Sequence, residues 1–282
     1  MVGRWRPAVA VGVLSLVCAC TAADPVPAAV DAPAPRTPES AAAPPTEPAA
    51  APDLADAVTR AVADTGAVDL GLAVLDLATG VQTGSRADVP FPTASLSKLV
   101  VAVDVLGGDV TEEDRDLLRR ALSASDDDAM NALWTLRDGM GAVERVAAAA
   151  GLTATHVPVD AAQWGDVETS AADVVRLYRY ALTALPEPER DFFVAALSSA
   201  PRTAADGFEQ DFGLLAPGLG AYAKQGWMWY QPAELYLHSA GVVAGRYAVA
   251  LLSVQSGVDE GTARDHVTAV AKSLAAALVP HG

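Results

Sequence analysis

The chain has 282 residues, a formal net charge of −16, 51% hydrophobic residues and two cysteines. That length gives one large domain or two small ones with a sizeable core, and the acidic balance argues against a nucleic-acid binder or a polybasic membrane-surface module. Two cysteines make neither a disulfide scaffold nor a Cys-rich zinc site, and His156, His238, His266 and His281 show no paired-ligand spacing, so no metal or cofactor is expected.

Arg4 and Arg6 precede a short apolar run, residues 7–17, too short to span a bilayer. The run ends in Val17-Cys18-Ala19-Cys20, which resembles a bacterial lipobox. Residues 1–19 therefore read as a lipoprotein signal peptide and Cys20 as the acylated residue, tethering the chain to the outer face of the membrane. An ordinary secretory signal cut nearby at the alanines is the alternative. Loss of the two leader arginines takes the charge from −16 to −18. Residues 21–52 hold 12 Ala and 9 Pro, a density that prevents helix and sheet and reads as an extended linker.

The folded part is expected over residues 53–282. A helical stretch, Leu54 to Ala63, opens it. Val68 to Asp76 reads as a strand, followed by a turn at Ala78-Thr79-Gly80 and a second strand over Val81 to Arg86. A helical region follows, in which Val174, Tyr178, Ala181 and Leu185 recur at helical spacing behind a Ser170/Asp173 pattern resembling a capping box. Strand-like runs return at Ala221 to Trp229, Leu235 to Val243 and Tyr247 to Val254. A last helix carries Val267, Val270, Ala271, Leu274 and Leu278 on one face. This predicts an α/β chain of the α+β type: one antiparallel sheet built from both chain ends, flanked by helices, with a helical subdomain.

Three motifs carry chemistry. In Ser95-Leu96-Ser97-Lys98, an apolar run follows at once, so Ser95 sits at a helix N-terminus, where the dipole favours a developing negative oxygen. Lys98 lies one turn along the same face, and if buried it could take the serine proton. With three lysines and fourteen serines in the chain, chance gives roughly 0.15 such pairs. The bland alternative is a helix cap and a surface lysine. Ser125-Asp126-Asp127 stands where one helix (Glu112 to Leu122) breaks and another (Ala129 to Leu136) begins. A hydroxyl there could relay a proton, although alone it reads as an N-cap. Lys224-Gln225-Gly226-Trp227 lies in a strand-like run. The lysine could hold a substrate carboxylate and the glycine could allow close approach, although a lone strand lysine is more often a solubilising charge.

The order SxxK, SD(N), K(T/S)G resembles the penicillin-recognising serine hydrolases, the serine β-lactamases and D,D-peptidases, over nearly all of 53–282, and within them the class A branch. The resemblance implies Ser95 as the acyl-accepting nucleophile, Lys98 as its activator and Ser125 as the proton relay. It places Asp127, Lys224, Gln225, Gly226 and Trp227 at the substrate. The N–H groups of Ser95 and Trp227 would form the oxyanion hole, and Asn131 would tie the second motif to its surroundings. It also implies a small peptide or β-lactam-like substrate.

The departures are as informative. Asp127 stands where Asn is usual and Gln225 where Thr or Ser is usual, Trp227 is bulky, and only 30 residues separate Ser95 from Ser125. Asn131 is the only asparagine, so the ExxxN element of class A deacylation is absent. Asp160, Asp166 and Glu168 are the acids available in that stretch, with Glu168 read as a cap or surface pair. Three readings follow: a serine hydrolase acting on a D-Ala-D-Ala-like or related amide or ester, a non-catalytic binding or scaffolding lipoprotein, or a β-lactamase with an unusual water-activating acid. The oligomeric state is open.

Overall fold

A computed structural model describes residues 53–63, 68–230 and 233–279. The signal peptide, Cys20 and the Ala/Pro linker lie outside the described residues.

The late apolar runs form a meander of β5 (Ala221–Tyr230), β6 (Glu234–Val243) and β7 (Tyr247–Ser256). β7 also pairs with β1 (Asp69–Asp76), and β1 with β2 (Gln82–Ser85), all antiparallel, giving the order β2-β1-β7-β6-β5. The sheet thus draws strands from both chain ends, as the sequence predicts. Side chains alternate between two apolar layers: Ala248, Ala250 and Leu252 of β7 enter one, and Tyr247, Val249 and Leu251 the other. Because both faces are covered, the central strands β1 and β7 carry apolar runs without polar alternation, Leu70 to Leu75 and Tyr247 to Leu252.

Helices α1 (Leu54–Ala63) and α8 (Glu260–Leu278) close one face, the latter through Val267, Val270, Ala271, Leu274 and Leu278. On the other face lie α2 (Ser97–Leu106), α3 (Glu112–Ser123), α4 (Asp127–Leu136), α5 (Gly139–Ala150), α6 (Ala171–Ala184) and α7 (Glu187–Ser198). Helix α2 is apolar around most of its circumference and sits at the centre of this layer, with nine of its ten residues buried.

Two local expectations are corrected. Ser170 Oγ does cap α6 by accepting from Asp173 N at 3.2 Å, but the Asp173 carboxylate does not turn back to complete a box. It accepts instead from the N–H groups of Thr153 and Ala154 and from Thr155 Oγ1. The complete capping box is at Thr111/Asp114, opening α3. Glu168 caps nothing: it lies in β4 (Glu168–Ser170), which pairs with β3 (Pro90–Pro92). This three-residue ribbon, two of whose six residues are prolines, has no periodicity to read, yet it carries the chain into the turn that holds Ser95.

Candidate active site

The chain leaves β3 through Thr93 and Ala94. Ala94 adopts φ 46°, a left-handed conformation that costs a non-glycine residue about 1–2 kcal/mol. A single 3₁₀ turn, Ala94–Leu96, then runs into α2. Surrounding contacts hold this turn. Ser97 Oγ donates to the Ala94 carbonyl (2.9 Å), and Thr93 N donates to the Val167 carbonyl (2.7 Å). Gly226 of β5 packs against it so closely that a Cβ there would stand 3.0 Å from the Thr93 carbonyl oxygen. The glycine therefore serves strand-to-turn packing, where the sequence suggested close approach by a ligand.

Lys98, one helical turn on, places its Nζ 2.7 Å from Ser95 Oγ. Ser125 sits in the α3–α4 break at φ 56°. Lys98 Nζ donates to its carbonyl at 3.1 Å and lies 3.3 Å from its Oγ. From β5, Lys224 Nζ donates to the same Oγ at 2.8 Å and to the Gln225 carbonyl at 2.9 Å. The two serines and two lysines thus form a continuous run: Ser95 Oγ, Lys98 Nζ, Ser125 Oγ, Lys224 Nζ. Both lysines are 1% exposed. Burial pulls the Lys98 ammonium below the ordinary lysine range, while the Asp127 carboxylate 2.6 Å away opposes the shift. Lys224 is pushed well below that range, first by burial and then by the charge of Lys98.

The profile described as the Beta-lactamase enzyme family matches residues 53–114 and 109–279. The chain belongs to the beta-lactamase enzyme family. A Mycobacterium tuberculosis protein named "Putative lipoprotein LppW" is 34% identical over 221 residues, covering 73% of this chain and 69% of its own length. Among solved structures, a β-lactamase from Chitinophaga pinensis aligns with TM-score 0.66 at 15% identity, covering 79% of this chain and 98% of that one. A class A β-lactamase representative from Bacteroides cellulosilyticus aligns with the same TM-score and identity, again over 79% and 98%. At these identities the structures establish a shared fold.

The departures from the β-lactamase pattern are visible around the cleft, a hollow of about 410 Å³ lined by Ser95, Asp127, Asn131, Trp164, Asp206 and Trp227 among others. Asp127 is half-exposed and forms an ion pair with Lys98. Gln225, expected at the substrate, does not face the cleft. Its side chain is fully buried, and its Nε2 donates to the carbonyls of Gln210 (3.0 Å) and Phe212 (2.5 Å). Asn131, read as a tie, lines the cleft and accepts from Trp164 Nε1 at 2.8 Å. Of the loop acids, Asp160 accepts from Ala162 N, Asp166 accepts from the Tyr230 hydroxyl, and Glu168 lies in β4.

Trp164 and Asp206 are cleft residues that no sequence motif marked. The Trp164 ring lies 4.6 Å from Lys98 Nζ. Asp206 is fixed by Trp227 Nε1, which donates to its Oδ2 at 2.9 Å. Among the described residues, no group of three His, Cys, Asp or Glu side chains could hold a metal ion, and no helix is long and apolar enough to cross a membrane.

Proposed function

We propose that this protein is a serine acyl-transfer enzyme of the bacterial envelope that forms an acyl-enzyme through Ser95 on a small amide or ester. The observation that carries the reading is the 2.7 Å contact between a helix-start serine and a buried lysine, extended without a gap to Ser125 and Lys224. In the neutral form, Lys98 Nζ accepts the Ser95 proton as Oγ bonds to the substrate carbonyl carbon. Ser125 then passes a proton to the leaving nitrogen or oxygen as its bond to that carbon breaks, with Lys224 steadying the relay. The N–H groups of Ser95 and Trp227 would stabilise the oxyanion.

The substrate class follows the family: a D-Ala-D-Ala-like peptide or a related amide or ester. Efficient β-lactam hydrolysis is not expected, because none of Asp160, Asp166 and Glu168 lines the cleft, and a β-lactam that acylates Ser95 would remain on it. The relative's name and the lipobox-like Cys20 support an acylated chain held at the outer membrane face.

A second reading is a silent binding module, favoured by one observation. The Lys98–Asp127 ion pair at 2.6 Å stabilises the protonated lysine, which is not a base.

The test is intact mass spectrometry of the full chain, purified in detergent and incubated with a penicillin and with a simple activated ester, beside Ser95→Ala. The expected result is a lasting adduct on the native chain only, together with a diacylglycerol mass that Cys20→Ala lacks. Rapid loss of penicillin without an adduct would favour a true β-lactamase. No adduct from either reagent would favour the binding module.

A further inference from the structure

We propose that Asp206 sets the charge preference of the cleft, and that the acyl donor it admits carries a cationic group, an ammonium or guanidinium, beside the scissile bond. This rests on the acyl-transfer reading above and narrows its substrate class away from D-Ala-D-Ala-like peptides, whose free carboxylate adjoins the scissile bond, to the related amides and esters.

The charged side chains lining the cleft, among the described residues, are Asp127 and Asp206. The two lysines lie beneath the surface. Lys98 spends its N–H groups on Ser95, Ser125 and Asp127, and Lys224 donates to Ser125 and the Gln225 carbonyl. A carboxylate arriving at the cleft therefore meets no cation on its wall. Of the two acids, Asp127 is ion-paired with Lys98 while that lysine is protonated, and in the neutral-lysine form it adds its own negative charge to the cleft. Asp206 has no ion pair among the described residues. Its oxygens accept from neutral donors, Phe208 N and Trp227 Nε1, each at 2.9 Å. Those bonds fix the carboxylate without cancelling its charge.

The position of Asp206 is built into the fold. An exposed loop carboxylate ordinarily swings in solvent, but the segment 201–212 that carries this one is fastened on two sides. Towards α3, Ala205 N donates to the Ala124 carbonyl, and the buried Gln210 Nε2 donates to the Ser123 carbonyl. Towards β5, Gln225 clamps the carbonyls of Gln210 and Phe212, and Phe208 stacks on Trp227 with ring centroids 4.5 Å apart and planes 8° from parallel. Two buried glutamines and an aromatic stack thus hold a carboxylate with no ion pair in the cleft that Ser95 also lines, felt by the buried lysines only at longer range. Near a protein surface, one such charge changes the encounter and binding of a singly charged ligand by roughly five- to tenfold in each direction.

The test uses the full chain and three phenyl esters of equal length, ending in an ammonium, a methyl or a carboxylate group. Acylation of Ser95 is read by intact mass and by phenolate release, with Ser95→Ala as the blank. The expected order is ammonium, methyl, carboxylate. The ammonium-to-carboxylate ratio should fall at least fivefold in Asp206→Asn, whose amide oxygen can still accept from Trp227. It should stay as in the native chain in Asp191→Asn, a change at an exposed site on α7, and it should shrink at high salt. A carboxylate ester that reacts fastest, or a ratio unmoved by Asp206→Asn, overturns the proposal and leaves serine acyl transfer standing. No adduct from any ester overturns both.

Discussion

At the scale of single residues, the proposed acyl transfer turns on the protonation of one lysine. Lys98 can accept the Ser95 proton only when neutral, burial favours that form, and Asp127 opposes it. Replacing Asp127 with Asn, the residue usual in the family, removes the opposing charge while keeping the shape. The Lys98 pKa then falls further, and the neutral fraction at any given pH rises. The acid limb of the pH profile for Ser95 acylation should therefore move to lower pH in Asp127→Asn, as stopped-flow measurements with a simple ester across a pH series would show. A limb that stays in place or moves up would mean that Lys98 is not the base. Ser95, Lys98, Ser125 and Lys224 were legible in the sequence because each residue type is chemically distinctive and the lysines are scarce. Trp164 and Asp206 were not. Trp164 meets Asn131 across 33 positions of chain, Asp206 meets Trp227 across 21, and Asp206 is one of 35 acidic residues with no local mark.

At the scale of elements, β5 is the strand whose residues look in two directions. Lys224 reaches Ser125, Gly226 admits the Thr93 turn, and Gln225 ties the 201–212 segment from behind. The sequence marked a strand-like run here but could not say which face each residue takes, and so it placed Gln225 at the substrate. That residue makes a sharp prediction. In Gln225→Thr, the residue usual in the family, the shorter side chain falls short of the Gln210 and Phe212 carbonyls, which lose the tie to β5 and keep only their backbone donors, Phe212 N and Leu215 N. Two net hydrogen bonds are lost at about 0.5–1.5 kcal/mol each, offset in part because the unpaired buried Gln225 Oε1 goes too, so urea unfolding should report a destabilisation of roughly 1–2 kcal/mol. Penicillin acylation should not improve, because the substituted position is behind the cleft. A Gln225→Thr chain as stable as the native one would show that the clamp contributes little. The same limit explains the other misreadings. Long periodic segments such as α6 and α8 declare themselves, whereas β3 and β4 exist only through each other and through the packing that brings them together.

At the scale of the whole molecule, the five-stranded sheet is locked to the ribbon beneath Ser95 by one buried histidine. His238 on β6 is fully buried. Its Nε2–H donates to the Pro92 carbonyl of β3 at 2.8 Å, and its Nδ1 accepts from Ser253 N of β7 at 3.2 Å. Both ring nitrogens are satisfied only in the neutral tautomer, since a proton on Nδ1 would confront the Ser253 donor. Burial accordingly pulls the His238 pKa down to about 4 from the usual 6.5. As pH falls from 6.5 towards 4, the unfolded chain binds a proton that the folded chain refuses, so stability present above pH 6.5 is lost across that window. The 2.5-unit difference corresponds to about 3 kcal/mol. Asp76, paired with Arg246 and held at about 2, titrates in a lower window, so the two contributions separate in pH. A second global effect runs the other way: acidification towards the sequence pI of about 4.5 reduces the self-repulsion of a chain carrying −16. That effect is common to native and substituted chains, so the comparison that isolates His238 is a difference between them. Urea unfolding at pH 7, 5.5 and 4 should show the native chain losing about 3 kcal/mol more than His238→Gln over that range, whatever the absolute slope of either. Parallel curves would show that the histidine is protonated within the fold and that the sheet absorbs its charge.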